Sequence, residues 1–301
     1  MAKIDTRCVH AGYTPGKGEP RQLPIIQSTT FKYETSDQMG RLFDLEDSGY
    51  FYTRLQNPTV DATAAQINDL EGGVGAILTA SGQAANLFAV INIAGAGDHI
   101  IAANNIYGGT FNLLGVSLPK LGIDITFLKA DTTDAEIEAA IRPNTKLVFG
   151  ETISNPGVEV FDIERWAKVA HRNGLPLIVD NTFATPVLCR PFEWGADIVT
   201  HSTTKYIDGH GVSVGGALVD SGNFPGNSTQ SDSPASPPPT NPTTASPTPR
   251  SSGRPPTSPR QSPTSCVTSG PSKVPRMPST CTWASRRCTC ASDAIAKAHA
   301  R

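Results

Sequence analysis

The sequence predicts an α/β fold built on a mostly parallel sheet. Between about residues 60 and 220, short apolar runs alternate with longer stretches whose apolar residues recur at helical spacing. This alternation is the pattern expected of a sheet whose strands are mostly parallel and joined by helices. Helices joining such strands would cover both faces.

The individual elements follow from these two patterns. The predicted strands are 76–80, 99–103, 125–129, 146–150, 176–180, 197–201 and 216–220. The predicted helical stretches are 61–73, 84–94, 109–122, 134–142 and 162–174. The glycine-rich "GGVG" at 72–75 follows a helical stretch and not a strand. It therefore predicts a helix C-cap rather than a dinucleotide-binding loop.

The chain divides into three parts by composition. Residues 1–60 contain short extended segments such as "LPIIQSTTFKY" and predict an N-terminal arm that packs on another element. Residues 61–224 form the predicted major domain. Residues 225–301 hold 15 of the 25 prolines and no Leu, Phe or Tyr. Without large apolar side chains a segment cannot offset the entropy lost on ordering, so we expect this tail to be disordered.

The change in composition after Phe224 is abrupt. The residues that follow are the Ser, Pro, Thr, Arg, Ala and Cys that GC-rich DNA yields when it is translated out of frame. We interpret the tail as a frameshifted or wrongly predicted end. The alternatives are a polyproline ligand or linker, and a solvated tail without a role. Its cysteines lack the paired spacing of common zinc sites; they are Cys266, Cys281, Cys288 and Cys290.

Charge and apolar content exclude several classes of partner. The first 224 residues carry 16 basic and 25 acidic side chains, a net charge of −9 with no basic stripe, which argues against nucleic acid. No N-terminal apolar segment and no run of roughly 18 apolar residues is present, so we expect no membrane association and a cytoplasmic location. Cys8 and Cys189 are too few for a disulfide framework and predict reduced, incidental thiols.

Polar groups follow several predicted strands, and ligands of open α/β sheets bind at the carboxyl ends of the strands. Ser81, Gly82 and Gln83 begin a predicted helix, whose free amides and partial positive charge suit a phosphate. Ser81 is also an ordinary N-cap candidate. Asp180 ends a predicted buried strand and is either a turn aspartate or a partner that keeps a heteroaromatic nitrogen protonated.

Two more residues complete a possible set. Tyr107 is flanked by Gly108 and Gly109, which leave its ring open to stack on a flat ligand, although ordinary packing is the alternative. Lys205 in "HSTTKYIDGHG" is either a solvated lysine or an amine that bonds covalently to a cofactor. Phosphate anchors, a ring stacker, an acid and an amine are what pyridoxal phosphate requires.

Several stretches together resemble the Cys/Met metabolism family of pyridoxal-phosphate enzymes, which have the aspartate-aminotransferase-like fold, fold type I. They are "YTRLQNPT", "LEGGVGAILTASGQAA", "YGGTFNL", "GETISNP", "PLIVDNTFATP" and "HSTTKYIDGHG", spread over most of the first 224 residues. The resemblance implies a smaller C-terminal domain after the major domain, and nothing in the tail matches it. We therefore expect that domain to be missing, and the 301-residue chain to be poorly soluble and weakly active.

The resemblance also implies roles for individual residues. Lys205 would hold the cofactor covalently, Asp180 would pair with its ring nitrogen and Tyr107 would stack on the ring. Lys205 and Tyr107 are the candidates for proton transfer. The residues implied to cradle the phosphate are Ser81, Gly82, Gln83, Ser202 and Thr204. Asn155 would lie near the cofactor, and Tyr52 and Arg54 would reach the phosphate of a neighbouring subunit, which implies a homo-oligomer, usually a tetramer.

Within the family, the sequence resembles most the enzymes that replace the acetate of O-acetylhomoserine by sulfide, giving homocysteine for methionine biosynthesis. The implied partners are thus a small amino-acid substrate and sulfide. Cystathionine γ-synthase, cystathionine γ-lyase and methionine γ-lyase share nearly all of these motifs and stay open as alternatives. A non-catalytic, truncated interaction protein is the alternative from a different class.

Overall fold

The computed structural model describes residues 2–44 and 46–224. Its centre is a seven-stranded sheet formed by β1 Gly75–Thr79, β2 His99–Ala103, β3 Asp124–Leu128, β4 Thr145–Glu151, β5 Leu177–Asp180, β6 Ile198–His201 and β7 Gly216–Asp220. The α-helices within the described residues are α1 Ile4–His10, α2 Ser36–Phe43, α3 Pro58–Glu71, α4 Gly82–Ile91, α5 Gly108–Asn112, α6 Asp134–Ala140, α7 Ile163–Arg172 and α8 Thr185–Leu188.

The sheet has the strand order β1-β7-β6-β5-β4-β2-β3. The pairs β2 with β3, β2 with β4, β4 with β5 and β5 with β6 are parallel, whereas β7 runs antiparallel to both of its neighbours, β1 and β6. The prediction of an α/β fold with a mostly parallel sheet is therefore confirmed. All seven predicted strands are present, and two of them, β2 and β7, have the predicted bounds.

The central strands are buried on both faces. Every residue of β2 and of β5 is buried, and the largest fully buried side chains include Trp166 of α7 and Phe149 of β4. The ring of Phe161 packs on Trp166 with the ring centroids 5.2 Å apart. Removing this much apolar surface from water is the main stabilising contribution to the fold, at about 25 cal/mol per Å².

The predicted helical stretch 109–122 is not one regular helix. It begins as α5, continues as a π-helical turn over Leu113–Ser117 and ends as a 3₁₀ turn over Leu118–Leu121. Pro119 lies in the first turn of the 3₁₀ segment, and Gly122 ends it with a φ of 81°. Since proline has no N–H, Pro119 cannot donate the hydrogen bond to the residue four positions earlier, which interrupts the regular α-helical pattern here.

The N-terminal arm packs on α3 of the same chain. Arg7 of α1 forms an ion pair with Asp69 at 2.7 Å, and the Gln66 side chain donates to the Cys8 carbonyl at 2.8 Å. Helix α3 runs from the N-cap Asn57 to Gly72, which has a φ of 82° and confirms the predicted C-cap. The boundary predicted at residue 60 thus falls in the first turn of α3, and the division into arm and major domain stays a proposal.

The predictions for the tail, its four cysteines, its disorder and the absence of a C-terminal domain, all concern residues outside the described ones. Within residues 2–44 and 46–224, no helix has both the length and the apolar character needed to cross a membrane.

Candidate active site

The carboxyl ends of the parallel strands gather polar side chains at one edge of the sheet. Glu151 ends β4 and pairs in register with Asp180, which ends β5 and pairs with Thr200 of β6. Strand β1 ends at the same edge because it and β6 are both antiparallel to β7. This edge therefore brings the segments after β1, β4, β5 and β6 together, as ligand sites of open α/β sheets require.

The Asp180 carboxylate is buried and held in place by three hydrogen bonds. Its Oδ2 accepts from Nδ2 of Asn86 at 3.0 Å, and its Oδ1 accepts from the N–H and the hydroxyl of Thr182 at 3.1 and 2.5 Å. The Asn86 side chain is itself fixed, because its Oδ1 accepts from the Thr200 hydroxyl at 2.5 Å. A carboxylate has about four acceptor positions, so Asp180 keeps capacity for one further donor.

Helix α4 starts directly beside the segment that follows β6. Ser81 is the N-cap, and its hydroxyl accepts from the Ala84 N–H at 3.1 Å. A Cβ at Gly82 would lie 2.5 Å from Cβ of Ser202, so only glycine allows this approach. Within the described residues, no hydrogen bond engages the main-chain N–H groups of Gly82 and Gln83, which are free to bind an anion.

The segment that carries the lysine is tied to the neighbouring strands. The Ser202 N–H donates to the Thr182 hydroxyl at 2.8 Å, which links it to the Asp180 cluster. The Thr204 hydroxyl donates to the Gly215 carbonyl at 3.2 Å and accepts from the Gly215 N–H at 3.1 Å. Thr204 therefore has no hydroxyl proton left for a phosphate in this arrangement. Lys205 is exposed, and its amine forms no ion pair with the described residues.

Tyr107 stands at the start of α5 and is 47% exposed as a residue. Its main-chain N–H donates to Oε2 of Glu151 at 2.5 Å. Glu151 is 4% exposed, and burial, with a second contribution from the charge of Asp180, raises the pKa of its carboxyl from 4.5 to about 8. At neutral pH Glu151 is thus protonated, and it anchors Tyr107 as a neutral acceptor.

We expect the stability of the chain to depend on this carboxyl. A carboxyl whose pKa is higher in the folded state contributes stability below pH 4.5, and this contribution is lost as the pH rises to about 8. Glu151→Gln removes the ionisation. Between pH 5 and 8 the free energy of unfolding should decrease more in the wild type than in Glu151→Gln, and the two decreases should differ by about 4 kcal/mol. Urea titrations of both proteins at pH 5 and pH 8 measure these free energies, and an equal decrease in the two proteins would contradict the prediction.

The remaining predicted residues lie on two other segments. Asn155 follows β4 in a tight loop, where the Asn155–Pro156 peptide is cis. Tyr52 forms an isolated bridge with Thr30 in the N-terminal arm, and the Arg54 guanidinium lies over the Tyr52 ring, 5.1 Å from its centroid. Within the described residues, no hydrogen bond or ion pair joins the Tyr52 or Arg54 side chain to the carboxyl edge.

Sequence reasoning missed three residues that build this site: Asn86, Glu151 and Thr182. Asn86 is a polar residue on the buried face of an otherwise apolar helix, which is a signal that the sequence carries. Glu151 ends its strand just as Asp180 does and was open to the same argument. Thr182 carries no such signal, because a hydroxyl two residues after a strand is common in any turn.

Comparison with known proteins shows the family of the chain. Residues 5–244 match the family model described as Cys/Met metabolism PLP-dependent enzyme, where PLP is pyridoxal phosphate. The chain belongs to this family. The predicted family, the fold type I architecture and the cofactor, pyridoxal 5′-phosphate, are thereby confirmed.

Members of the Cys/Met metabolism family with curated functions are similar to this chain over 73% of its length. The O-acetyl-L-homoserine sulfhydrylase of Corynebacterium glutamicum is 48% identical over 222 residues, which cover 73% of this chain and 51% of that protein. The homocysteine synthase of Schizosaccharomyces pombe is 46% identical over 223 residues, which cover 73% and 52%. The chain thus spans about half the length of the curated relatives it matches.

Two solved structures of the family are also similar. A Campylobacter jejuni protein described as an O-acetylhomoserine (thiol)-lyase matches with a TM-score of 0.72 and 36% identity, and the match covers 77% of this chain and 57% of that protein. That protein carries N′-pyridoxyl-lysine-5′-monophosphate at its position 205. The cystathionine γ-lyase of Lactobacillus plantarum, complexed with L-serine, matches with a TM-score of 0.74 and 28% identity. The match covers 96% of this chain and 65% of that protein.

The residues at the carboxyl edge fit the cofactor of the family. The N–H groups of Gly82 and Gln83 offer donors to a phosphate, and the Asp180 carboxylate keeps an acceptor position for a ring N–H. Tyr107 presents an exposed ring, and Lys205 presents an amine without an ionic partner among the described residues. The distribution of these groups over the ends of several strands is what a phosphorylated heteroaromatic aldehyde requires.

Replacing Gly82 by alanine tests the phosphate position. The new methyl group would lie 2.5 Å from Cβ and 2.8 Å from Cα of Ser202, so the segment after β6 must move away from the helix. We expect the affinity for pyridoxal phosphate to fall by about tenfold or more, because overpacking of this kind forces backbone shifts that cost about 1 to 3 kcal/mol. Equilibrium dialysis measures it. The matched control is Gly40→Ala, where a Cβ meets no atom within 4 Å; equal affinities of the two variants would contradict the assignment.

Proposed function

We propose that the chain is the cofactor-binding part of an enzyme that replaces the acetate of O-acetylhomoserine by sulfide, giving homocysteine for methionine biosynthesis. The observation that carries this proposal is the cluster at the carboxyl edge, in which Asp180 keeps one acceptor position beside a free helix N-terminus. The names of the relatives, sulfhydrylase and homocysteine synthase, support the choice of substrate.

The proposed roles follow from the chemistry of each side chain. Bound pyridoxal phosphate supplies an electron sink for the charge that develops at Cα of the amino acid. Asp180 keeps the ring nitrogen protonated, and Tyr107 stacks on the ring. The amides of Gly82 and Gln83, with the Ser202 hydroxyl, bind the phosphate. The modified lysine of the Campylobacter jejuni protein supports Lys205 as the covalent attachment point.

The Lys205 amine is also the proposed base that removes the Cα proton, with Tyr107 as the second candidate for proton transfer. A positioned base contributes roughly 10²- to 10⁴-fold to the rate. In the overall reaction the bond between Cγ and the acetate oxygen breaks, a bond between Cγ and sulfur forms, and acetate leaves. Asn155, on the loop after β4, is proposed to lie near the cofactor.

The proposed enzyme is a homo-oligomer. Tyr52 and Arg54 lie on the N-terminal arm, where Arg54 is exposed and stacks on Tyr52, which supports a role at a neighbouring subunit's phosphate. The Thr204 hydroxyl would have to leave Gly215 to contribute to the same phosphate. Sedimentation of the 301-residue chain tests the assembly, and a monomer at all concentrations would contradict it.

The second candidate is a lyase acting on cystathionine. The similarity to the Lactobacillus plantarum cystathionine γ-lyase, which covers 96% of this chain, favours keeping it. The two candidates share the same cofactor site and differ in the substrate that enters it.

An assay of relative rates separates these candidates. The 301-residue chain with added pyridoxal phosphate is given O-acetylhomoserine or O-succinylhomoserine, each with sulfide or cysteine, and cystathionine alone. We expect O-acetylhomoserine with sulfide to react fastest, even where all rates are low. A faster reaction with cystathionine or with the succinyl ester would overturn the proposed substrate. Absence of any bound cofactor would overturn the enzyme and support a non-catalytic protein.

A further inference from the structure

The end of β4 carries a buried carboxyl to which the proposed mechanism assigns no role. Oε2 of Glu151 accepts the main-chain N–H of Tyr107 at 2.5 Å. Parallel pairing aligns Glu151 with Asp180, so both side chains lie at the same edge of the sheet. One residue thus contacts the proposed ring stacker and stands beside the proposed partner of the ring nitrogen.

We propose that Glu151 is a positioning residue, which fixes the main chain of Tyr107 relative to Asp180 and makes this arrangement sensitive to pH. The inference rests on the proposed function, since it gives Tyr107 and Asp180 their cofactor contacts. Glu151 itself acts through Tyr107 and is not assigned any contact with the substrate.

The local structure supports an anchoring role. Tyr107 is the N-cap of α5, but its side chain forms no cap hydrogen bond, so the main-chain bond to Glu151 holds this residue instead. Asn105, two residues earlier, donates to Glu159 on the loop after β4 at 2.8 Å. Two carboxyl groups from one strand and its following loop therefore hold the segment that presents the tyrosine ring.

The charge of the site gives this anchor its pH dependence. Burial is the largest cause of the raised pKa of the Glu151 carboxyl; the Asp180 carboxylate raises it further, and the hydrogen bond from the Tyr107 N–H lowers it. The result is a pKa of about 8. Below that pH a neutral carboxyl accepts from Tyr107, and above it a second negative charge stands beside Asp180.

The test follows the Tyr107 amide by nuclear magnetic resonance in the full 301-residue chain. Labelling with [¹⁵N]tyrosine gives six amide signals at most, since the sequence has six tyrosines. Tyr107→Phe identifies the relevant signal by its loss. We expect this signal to shift with pH around a midpoint of about 8 in the wild type and to stay constant in Glu151→Gln. Glutamine keeps the acceptor for the N–H and removes only the ionisation.

A second variant checks the coupling to Asp180. Asp180→Asn removes the neighbouring charge, so the midpoint should move to lower pH. No shift in the wild type, an unchanged shift in Glu151→Gln, or an unmoved midpoint in Asp180→Asn would each overturn the proposal. Because the titration is measured without added cofactor, failure to bind pyridoxal phosphate would overturn the proposed function and leave this result intact.

Binding of the cofactor provides a readout of position. At pH 6.5, where Glu151 is neutral, Glu151→Gln should bind pyridoxal phosphate as the wild type does. Glu151→Ala leaves the Tyr107 N–H without its acceptor, and we expect about tenfold weaker binding. Equal affinities of the alanine variant and the wild type would show that the anchor does not position the ring.

Discussion

Replacing Lys205 by alanine should leave the chain without any covalently bound pyridoxal phosphate. The amine is exposed, is without an ionic partner among the described residues, and follows Ser202, which packs against the start of α4. Lys205 lies three positions after Ser202, so its amine is near the proposed phosphate site and is suited to condense with the aldehyde of the cofactor. Borohydride reduction followed by mass spectrometry should find the added group on the peptide containing Lys205 in the wild type and not in the variant. The yellow colour of the bound cofactor should be absent from Lys205→Ala.

The matched control is Lys168→Ala. Lys168 is a surface lysine of α7 with a side chain 68% exposed, and it pairs with Glu164 at 2.7 Å. Its replacement should leave both the colour and the reduced adduct unchanged. An adduct that persists in Lys205→Ala would assign the covalent link to a different amine and would remove the basis of the proposed mechanism.

Replacing Asp180 by asparagine should weaken cofactor binding about 10- to 100-fold. Asparagine keeps the size of the side chain and an oxygen for the Thr182 N–H, but it loses the negative charge that favours a protonated ring nitrogen. A hydrogen bond to a charged group contributes about 1.5 to 3 kcal/mol, which corresponds to this range of affinity. Equilibrium dialysis against pyridoxal phosphate measures the change.

Asp197→Asn is the control for loss of a buried carboxylate elsewhere. Asp197 lies at the other edge of the sheet, just before β6, where its carboxylate accepts from the Leu177 N–H and contacts His171, each at 2.8 Å. Its replacement should lower the free energy of unfolding and leave cofactor affinity within about twofold, since it is remote from the site. If both variants lost affinity equally, Asp180 would be a purely structural residue.

Local patterns predicted most of the sheet. The seven apolar runs all became strands, because a run of four or five buried residues between turn signals has few other ways to satisfy its backbone. The stretch 109–122 was predicted less well, since the change from α to π to 3₁₀ geometry depends on packing and on Pro119. The reversed direction of β7 was also not predicted, because an apolar run does not encode the direction of its partner.

The residues of the candidate site were expected from the sequence and their roles stay predictions, whereas their contacts were not predicted. Asp180 and Lys205 drew attention as a carboxylate after a strand and a lysine among hydroxyls. The Thr204 hydroxyl, whose role as a phosphate ligand stays a prediction, forms hydrogen bonds with Gly215 that the sequence did not indicate. Such partners lie 11 residues or more away along the chain, so spacing alone does not identify them.

The sequence by itself determined the α/β class, the order of the strands along the chain and the membership of a pyridoxal-phosphate family, because each of these is encoded in local apolar pattern or in contiguous motifs. Only the tertiary structure decided that Asn86 contacts Asp180 and that Glu151 contacts Tyr107. These contacts join α4 to the end of β5 and β4 to the start of α5, which meet only when the sheet has formed. A carboxyl acquires its shifted pKa from burial and from a neighbouring charge, and both exist only in the folded chain.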